Sequence, residues 1–269
     1  MSKTKGFLSA AVLAAMVFTL SCSGVGNLPS SSFPVDKGLC VDFTEGTTRE
    51  HHGKSKPQFC DVRDSKKYVY AEIGSQIWMA ENLNYNVSGS KCFGQDGTVW
   101  NQETYNNHNK DTITAQEIQK NCDTYGRLYN WATAVGVCPY GWHLPSNTEW
   151  DILLKFIDPD YVIEEPVAVY NMFHTAVGAK LKMAPGWNRG SISSKPSTDD
   201  YGFSALPGGY GFDTGVFSHV GSMSQLWSAT EAEDDAGYAM SRHMHYGSNN
   251  VQRSKGQKAW LYSVRCVKD

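Results

Sequence analysis

Two neighbouring stretches of the chain repeat apolar residues at the spacing of one helix face. In the first stretch, the positions i, i+3, i+4 and i+7 are Leu128, Trp131, Ala132 and Val135. This spacing predicts an amphipathic helix, and a helix that continued to Cys138 would turn its sulfur to the same face. Pro139 ends the predicted helix, because proline cannot continue the backbone hydrogen bonding.

The second stretch begins with an explicit start signal. Ser146 and Glu149 have the S-x-x-E spacing of a capping box, in which each side chain accepts a hydrogen bond from a backbone N–H of the first turn. The apolar positions that follow repeat the helix spacing: Trp150, Leu153, Leu154 and Ile157. Two apolar helix faces need a sheet to cover, and the rest of the chain is rich in strand-forming residues. We therefore expect a loop-rich α+β fold with two helices packed on short antiparallel strands.

Alternating patterns predict where the strands lie. Residues 68–79 form a predicted hairpin, since YVYAEI alternates and Gly74-Ser75 supply a two-residue turn before QIWM. Further strands are predicted at residues 225–229, 237–245 and 259–267, and a short apolar helix at residues 172–181. Residues 82–120 are polar and indicate a long surface excursion, whereas residues 184–221 are dominated by loops with recurring aromatic residues.

The N-terminal residues have the features of an export signal. Residues 1–21 combine two lysines with a short apolar stretch, and the TLSC sequence that ends at Cys22 resembles a bacterial lipobox, in which the cysteine is acylated. Threonine stands where that motif usually has leucine, so ordinary signal cleavage is the alternative. Residues 22–38 have the composition of a flexible tether. We expect a lipoprotein of the bacterial cell envelope at the outer membrane, with exposure on the cell surface left open.

Composition and charge narrow the classes of partner. The 269 residues carry a formal net charge of −3, with basic residues scattered, which argues against a nucleic-acid partner. No apolar run of the length of a membrane span follows the N-terminus, so the lipid anchor is the only expected contact with a membrane. Aromatic content of 12% with 25 glycines favours a strand- and loop-rich protein over a helical bundle.

The cysteines predict a disulfide framework. Seven cysteines less the acylated one leave six, an even set in an oxidising compartment. Two pairs are suggested by position: Cys40–Cys60, which closes a small polar loop over residues 39–60, and Cys92–Cys122, which closes the surface excursion at its base. The spacing alone leaves other pairings open.

Five blocks of sequence resemble a known family. They are IGSQIWMAENLNY at 73–85, YGRLYNWATAV at 125–135, CPYGWHLPSNTEW at 138–150, YGFSALPGGY at 201–210 and SVRCVKD at 263–269. In this order they are similar to the Fibrobacter succinogenes major paralogous domain. The resemblance implies one such domain over residues 61–269.

A more remote resemblance lies in the same region. A set of residues in this region resembles the signature of C-type lectin-like domains. These residues are Trp131, Ala134, Cys138, His143-Leu144 and Glu149. The block HLPSNTEW also resembles a segment of sulfatase-modifying enzymes, which share that broad fold. This resemblance implies a disulfide-stapled C-type lectin-like domain, in which Cys138 pairs with Cys266 of the last strand.

Motifs for catalysis or metal binding are incomplete. Lectins of this fold hold calcium and sugar through two loop motifs. This chain matches those motifs only in part, at Glu165-Pro166-Val167 and at Trp187-Asn188-Arg189. The sulfatase-modifying chemistry needs two free cysteines near the C-terminal end, where Cys266 stands alone. His51-His52 matches no zinc pattern. We expect no enzyme activity, no cofactor and no metal, with an oxidase of the sulfatase-modifying type as the alternative.

The remaining hypothesis is non-catalytic binding. Aromatic residues in glycine- and proline-rich loops suit recognition of sugar rings or peptide edges. The candidate ligand-binding residues are Trp187, Asp199, Asp200, Tyr201, Tyr210 and Phe212. We expect an adhesion or binding module for glycan, cell-wall material or a surface protein. The alternatives are a structural envelope protein, and aromatic residues that serve only as core.

Overall fold

Short strands dominate the part of the chain that the structure describes. The computed structural model describes residues 40–100, 110–161, 177–183, 186–187 and 197–269. In chain order its strands are β1 (Thr48–His51), β2 (Lys54–Cys60), β3 (Lys67–Ile73), β4 (Gln76–Met79), β5 (Ser90–Lys91), β6 (Thr98–Trp100), β7 (Lys110–Asp111), β8 (Leu128–Tyr129), β9 (Trp142–His143), β10 (Gly208–Gly211), β11 (Val216–Val220), β12 (Met223–Glu231), β13 (Tyr238–His245), β14 (Gln252–Gln257), β15 (Tyr262–Ser263) and β16 (Val267–Lys268). The helices are α1 (Ala115–Tyr125), α2 (Trp131–Ala134), α3 (Asn147–Ile157) and α4 (Val177–Leu181). The predicted α+β class agrees with this content.

The first sheet joins the N-terminal strands to the C-terminal end of the chain. Its strand order is β1-β2-β3-β4-β16-β9. The predicted hairpin is confirmed, since β3 and β4 pair antiparallel across a turn in which Gly74 has φ +64°. Residues 39–60 were expected to form a small separate loop, but β2 pairs with β3 from Gln58↔Val69 to Cys60↔Lys67 and so continues the sheet.

The second sheet is larger and mostly antiparallel. Its order is β5-β8-β15-β12-β10-β11-β6-β7, with β13 and β14 joined to β12. The strands predicted at 225–229 and 237–245 are confirmed as parts of β12 and β13. The single strand predicted at 259–267 is wrong: β15 pairs in the second sheet and β16 in the first. Residues 261–267 are all buried, so the alternation marks a crossing between two sheets.

Helix α3 has the start and the buried face that the sequence predicts. Ser146 Oγ accepts from the Glu149 backbone N–H, and the Glu149 carboxylate accepts from the Ser146 backbone N–H. All four residues of the apolar stripe are buried: Trp150, Leu153, Leu154 and Ile157. The Trp150 ring packs 4.8 Å from the Trp78 ring, between centroids. The capping box and the apolar stripe therefore place α3 against the sheets.

The helix predicted to begin at Leu128 is wrong in extent. Leu128 and Tyr129 form β8, which pairs with β5 and β15. Helix α2 is a single turn capped by Asn130, and Val135 after it is 44% exposed. The i, i+3, i+4, i+7 spacing therefore spans a buried strand, a turn of helix and an exposed end, which the spacing alone cannot distinguish.

Helix α1 lies where the sequence pattern indicated surface excursion. Its start is a capping box between Thr114 and Glu117. Cys122 is the one fully buried side chain of the helix, so no apolar stripe announces it. The disulfide Cys92–Cys122 joins it to the segment after β5, and Asn84 Nδ2 donates to Cys122 O at 2.9 Å.

Three disulfides staple the described chain. They are Cys40–Cys60, Cys92–Cys122 and Cys138–Cys266, the pairs expected from position and from the family resemblance. The last joins residues separated by 128 positions, with Cα atoms 6.0 Å apart. It connects the loop before β9 to the residue before β16, and so holds the chain terminus beneath α3.

Several sequence expectations lie outside the described residues. These are the signal at 1–21, the tether at 22–38 with the acylation site Cys22, the first part of the helix at 172–181, and the motif residues Glu165-Pro166-Val167 and Asn188-Arg189. Within the ranges that the structure describes, none of the helices has the length and apolarity needed to span a bilayer. Asp36–Asp269 forms one compact unit.

His143 of β9 connects the start of α3 to the chain terminus. Its Nδ1 lies 2.6 Å from Asp269 Oδ1, and its Nε2 lies 2.6 Å from Glu149 Oε1. Burial lowers the pKa of His143, but the hydrogen bonds to Asp269 and Glu149 raise it more, so the net pKa lies above the ordinary 6.5.

We expect the stabilisation from His143 to be fully present below pH 6.5, the ordinary pKa, and to be lost as pH rises through its raised pKa. The free energy of unfolding should fall by no more than about 1 kcal/mol, because the ion pairs of His143 are partly exposed. Urea unfolding across this pH range measures it. Burial also lowers the pKa values of Lys56 and Lys182 to about 8, so His143→Gln is the control that isolates the histidine. An unchanged pH profile in His143→Gln contradicts the prediction.

Candidate functional site

The four aromatic residues among the six candidate ligand-binding residues separate into two groups in the structure. Trp187 and Tyr201 pack against the apolar cluster that contains Trp150. Tyr210 instead packs against the cluster that contains Tyr262, and Phe212 contacts Tyr210. The sequence placed all six in one loop surface, and the structure brings together only the members of each group.

Asp199 does not present its carboxylate to solvent. The residue is 5% exposed. Its Oδ1 accepts from the Ser204 backbone N–H at 2.7 Å and its Oδ2 accepts from Ser204 Oγ at 2.6 Å. Lys56 Nζ lies 3.8 Å from Asp199 Oδ2 and donates to Ser204 Oγ at 2.6 Å. The expectation that Asp199 binds ligand hydroxyls is therefore corrected: it joins the loop after α4 to β2.

Trp187 and Tyr201 also have structural contacts. The indole Nε1–H of Trp187 donates to Ala205 O at 3.2 Å, and Lys182 Nζ lies 5.1 Å from the Trp187 ring centroid. Tyr201 contacts Phe156 edge-on at 5.9 Å between centroids. Asp200 is exposed. These contacts favour the core interpretation for Trp187 and Tyr201.

Tyr210 is the centre of a partly exposed aromatic cluster. Its ring stacks on His219 with centroids 5.2 Å apart and an interplanar angle of 15°. Phe212 meets the Tyr210 ring edge-on at 5.2 Å and the Trp260 ring at 5.1 Å. We call Tyr210, Phe212, His219 and Trp260 the aromatic platform; each of the four is partly exposed.

Backbone pairing explains how the aromatic platform assembles. β10 and β11 form a hairpin in which Tyr210 pairs with Ser218, next to His219. Gly211 and Leu261 then exchange backbone hydrogen bonds of 2.9 and 2.8 Å. This bridge sets Trp260 beside Phe212, although the two residues are far apart in sequence.

Buried rings support the aromatic platform from below. Tyr262 is buried, lies 6.0 Å from Tyr210 edge-on, and packs 4.2 Å from the Trp227 ring. Trp227 Nε1–H donates to Tyr129 O at 2.7 Å. Because these rings are fixed, a ligand that stacks on the platform would lose little side-chain entropy of the protein.

The aromatic platform carries no formal charge at neutral pH. Burial lowers the pKa of His219, and His245 lowers it further, so the imidazole that stacks on Tyr210 is neutral. His219 Nδ1 lies 2.7 Å from Ser218 Oγ, and His219 has φ +67°. A neutral surface of rings with hydroxyl and imidazole edges suits an uncharged ligand with both apolar and hydroxyl groups.

A cleft of about 390 Å³ lies elsewhere, between the β1–β2 hairpin, β3 and the end of α1. Its lining includes His51 and Glu81. Burial lowers the pKa of His51 to about 3, so this histidine is neutral. Glu81 is paired with Arg49 at 2.6 Å and accepts from the Val69 backbone N–H at 2.8 Å. These polar groups already have protein partners and hold the N-terminal hairpin to the core.

Within the described ranges, no group of three or more His, Cys, Asp or Glu side chains converges that could hold a metal ion.

The sequence did not predict two members of the aromatic platform. The sequence pattern marks Trp260 only as part of the strand predicted at 259–267, and it does not mark His219. No local signal identifies them, because their place beside Tyr210 depends on pairing between distant strands.

Comparison with known proteins gives one match. Residues 71–268 match the family model described as the Fibrobacter succinogenes major domain. Searches of curated proteins and of solved structures each found no match. The matched region contains all four residues of the aromatic platform and begins within β3.

Proposed function

The chain belongs to the Fibrobacter succinogenes major domain family, and we propose that it is a non-catalytic carbohydrate-binding module of the bacterial cell envelope. The aromatic platform is the observation that carries the proposal. Sugar rings present C–H groups on their faces and hydroxyls at their edges, so a partly exposed aromatic ring can cover a sugar face while hydroxyls reach water or polar side chains. The ligand is glycan or cell-wall polysaccharide.

Three properties of the platform support binding over a purely structural role. Phe212 and Trp260 keep part of their ring surface exposed, although buried rings lie directly beneath them. The platform is neutral, which suits an uncharged polymer. Its residues come from two segments joined by the Gly211–Leu261 bridge, so the surface is rigid. A structural envelope role is the alternative, in which the same rings only cover the core.

The oxidase alternative has less support. Chemistry of the sulfatase-modifying type uses free cysteines near the C-terminal end. Cys266 is instead bonded to Cys138, and this bond consumes the thiol that such a reaction needs.

The same bond, together with α3 and its capping box, supports the finer proposal of a C-type lectin-like fold, which an experimental structure would test.

Attachment to a membrane is part of the proposal. Cys22 is the acylated residue and residues 22–38 are the tether, which together place the domain at the outer membrane. The TLSC sequence supports this. Labelled palmitate should enter the wild-type protein and not Cys22→Ala; label that persists in Cys22→Ala means that Cys22 is not the anchor.

We expect Phe212→Ala and Trp260→Ala each to weaken polysaccharide binding about tenfold, a change of about 1.4 kcal/mol, which is the range of a ring contact. The probes are the uncharged polysaccharides cellulose and xylan, in insoluble form, in pull-down assays with the purified protein. Phe156→Ala is the matched control, because Phe156 is also a half-exposed aromatic residue but lies on α3.

The melting temperature separates the two interpretations of the platform. Lost binding with a melting temperature close to wild type supports a binding surface. A large drop in the melting temperature of both variants assigns the rings to the core. Binding equal to that of Phe156→Ala ends the proposal that the platform is the site.

A further inference from the structure

A second concave surface is formed by residues that precede the matched region together with residues of β9 and β16. It is a cavity of about 380 Å³ between the loop after Cys40, β2, β9 and β16. We call it the N-terminal pocket; its lining includes Phe43, Glu45, Phe59, Tyr140, Trp142 and Lys268. A volume of this size is in the range of small-ligand sites.

The inner wall of the N-terminal pocket is aromatic and rigid. Phe59 stacks on Trp142 with centroids 4.4 Å apart and an interplanar angle of 24°. Phe59 also stacks on Tyr68 at 5.7 Å. Phe59 and Trp142 are both buried, and the disulfide Cys40–Cys60 ties the loop that carries Phe43 to β2. The wall therefore keeps its shape whether or not a ligand is present.

The rim of the pocket carries one ion pair. Lys268 Nζ donates to Glu45 Oε1 at 2.8 Å, and the side chains are 35% and 58% exposed. The hydrogen bond to Glu45 raises the pKa of Lys268, so the ammonium stays charged at neutral pH. The Lys268–Glu45 pair thus offers a hydrogen-bond donor and an acceptor side by side, and Lys67 Nζ lies 5.4 Å from the Phe43 ring centroid.

Tyr140 stands at the mouth of the pocket with its ring in water. The residue is 93% exposed, although its backbone is held on both sides. The Trp142 N–H donates to Pro139 O at 3.0 Å and the Asp269 N–H donates to Gly141 O at 3.1 Å. Within the described part of the chain, the Tyr140 side chain has no ring contact or hydrogen bond with the protein. The fold therefore holds the backbone on both sides of Tyr140 and does not use its ring for packing.

From this lining we propose that the N-terminal pocket is a carbohydrate-binding site that holds one neutral pyranose ring. The ring face covers the apolar surface of Tyr140 and Phe43, and its hydroxyls donate to Glu45 and accept from Lys268. An apolar ligand would remove water from the ion pair without replacing its hydrogen bonds, which is unfavourable. A charged ligand would compete with one member of the pair. A neutral ring with hydroxyls satisfies both the aromatic mouth and the polar rim.

This site does not depend on the aromatic platform, and the variants distinguish the two. Phe212→Ala should leave the N-terminal pocket unchanged, and Tyr140→Ala should leave the platform unchanged. A protein that carries both sites can contact one polysaccharide at two places, which strengthens weak binding by avidity.

The test measures binding of methyl glycosides of glucose, galactose, mannose, xylose and N-acetylglucosamine to the purified protein by saturation-transfer NMR. We expect at least one glycoside to bind with a dissociation constant of about a millimolar, a weak single-ring contact. Tyr140→Ala and Glu45→Gln should each weaken it about tenfold. Tyr140→Ala should fold normally, because the side chain is exposed.

Cyclohexanol is the matched control probe, since it has the ring size of a sugar with a single hydroxyl. Cyclohexanol that binds as well as the glycosides would show an apolar-ligand site and overturn the proposal. Absence of binding by all five glycosides, or binding that Tyr140→Ala and Glu45→Gln leave intact, would also overturn it. Loss of binding in Phe212→Ala alone would assign the glycoside to the aromatic platform instead.

Discussion

Arg265→Met should lower the free energy of unfolding by about 3–5 kcal/mol, the range for breaking a buried, hydrogen-bonded charge. Arg265 is fully buried. Its Nε and Nη2 donate to Asn82 Oδ1 at 3.1 and 2.6 Å, and its Nη1 donates to Met79 O and Phe203 O. Methionine fills similar volume and removes all of these donors, so the acceptors would remain buried without partners.

The network around Arg265 explains why the effect should be large. The guanidinium lies 4.7 Å from the Phe203 ring centroid, and Asn82 donates onward to Tyr125 O at 2.8 Å. Burial lowers the pKa of Arg265, while Glu81 and Asp199 favour its charged form. One side chain therefore connects the segment after β4, the loop before β10 and the end of α1.

Arg49→Met is the matched control for Arg265→Met. Arg49 pairs with Glu81 at 2.6 Å, but its side chain is 41% exposed. An exposed ion pair contributes about 0–1 kcal/mol. Urea unfolding followed by circular dichroism measures both variants. Similar small losses in the two variants would mean that water replaces the buried contacts of Arg265, which contradicts the prediction.

Removal of the Cys138–Cys266 disulfide should lower the free energy of unfolding by about 5 kcal/mol. The bond joins residues 128 apart in sequence, and the chain-entropy model relates the loss to the length of the closed loop. For a domain of this size we expect the melting temperature to fall by roughly 10–20 °C. The double variant Cys138→Ala/Cys266→Ala removes the bond without leaving a free thiol.

The double variant Cys40→Ala/Cys60→Ala is the control for loop length. This bond joins residues 20 apart, for which the same model gives about 3 kcal/mol. Chemical unfolding under non-reducing conditions should rank the two variants in that order. An equal loss in both, or a larger loss for Cys40–Cys60, would show that chain entropy does not govern these bonds.

The elements that were predicted correctly are those whose signals are local. The capping box of α3 lies within four residues, and its apolar stripe follows immediately. The β3–β4 hairpin depends on alternation and on a glycine at a position with positive φ. Neighbouring residues decide such features, because the hydrogen bonds involved close within one turn. Family membership also follows from the sequence, since its blocks keep their order along the chain.

The elements that were missed depend on distant partners. Leu128 has the spacing of a helix, but pairing of β8 with β15 makes it part of a strand. Residues 259–267 alternate as one strand would, yet β15 and β16 pair in different sheets. A periodic pattern reports which residues are buried, and it carries no information on which sheet buries them.

The sequence by itself determined the family, the helix α3, the β3–β4 hairpin and the presence of aromatic residues between α3 and β12. The export signal stays a prediction. Only the tertiary structure decided which neighbours those aromatic residues have. Asp199 became buried because Lys56, far away in sequence, lies against Ser204. Phe212 gained Trp260 as a neighbour because Gly211 pairs with Leu261. Side-chain exposure depends on which distant segments cover a residue, so long-range pairing decided which aromatic side chains stay partly exposed.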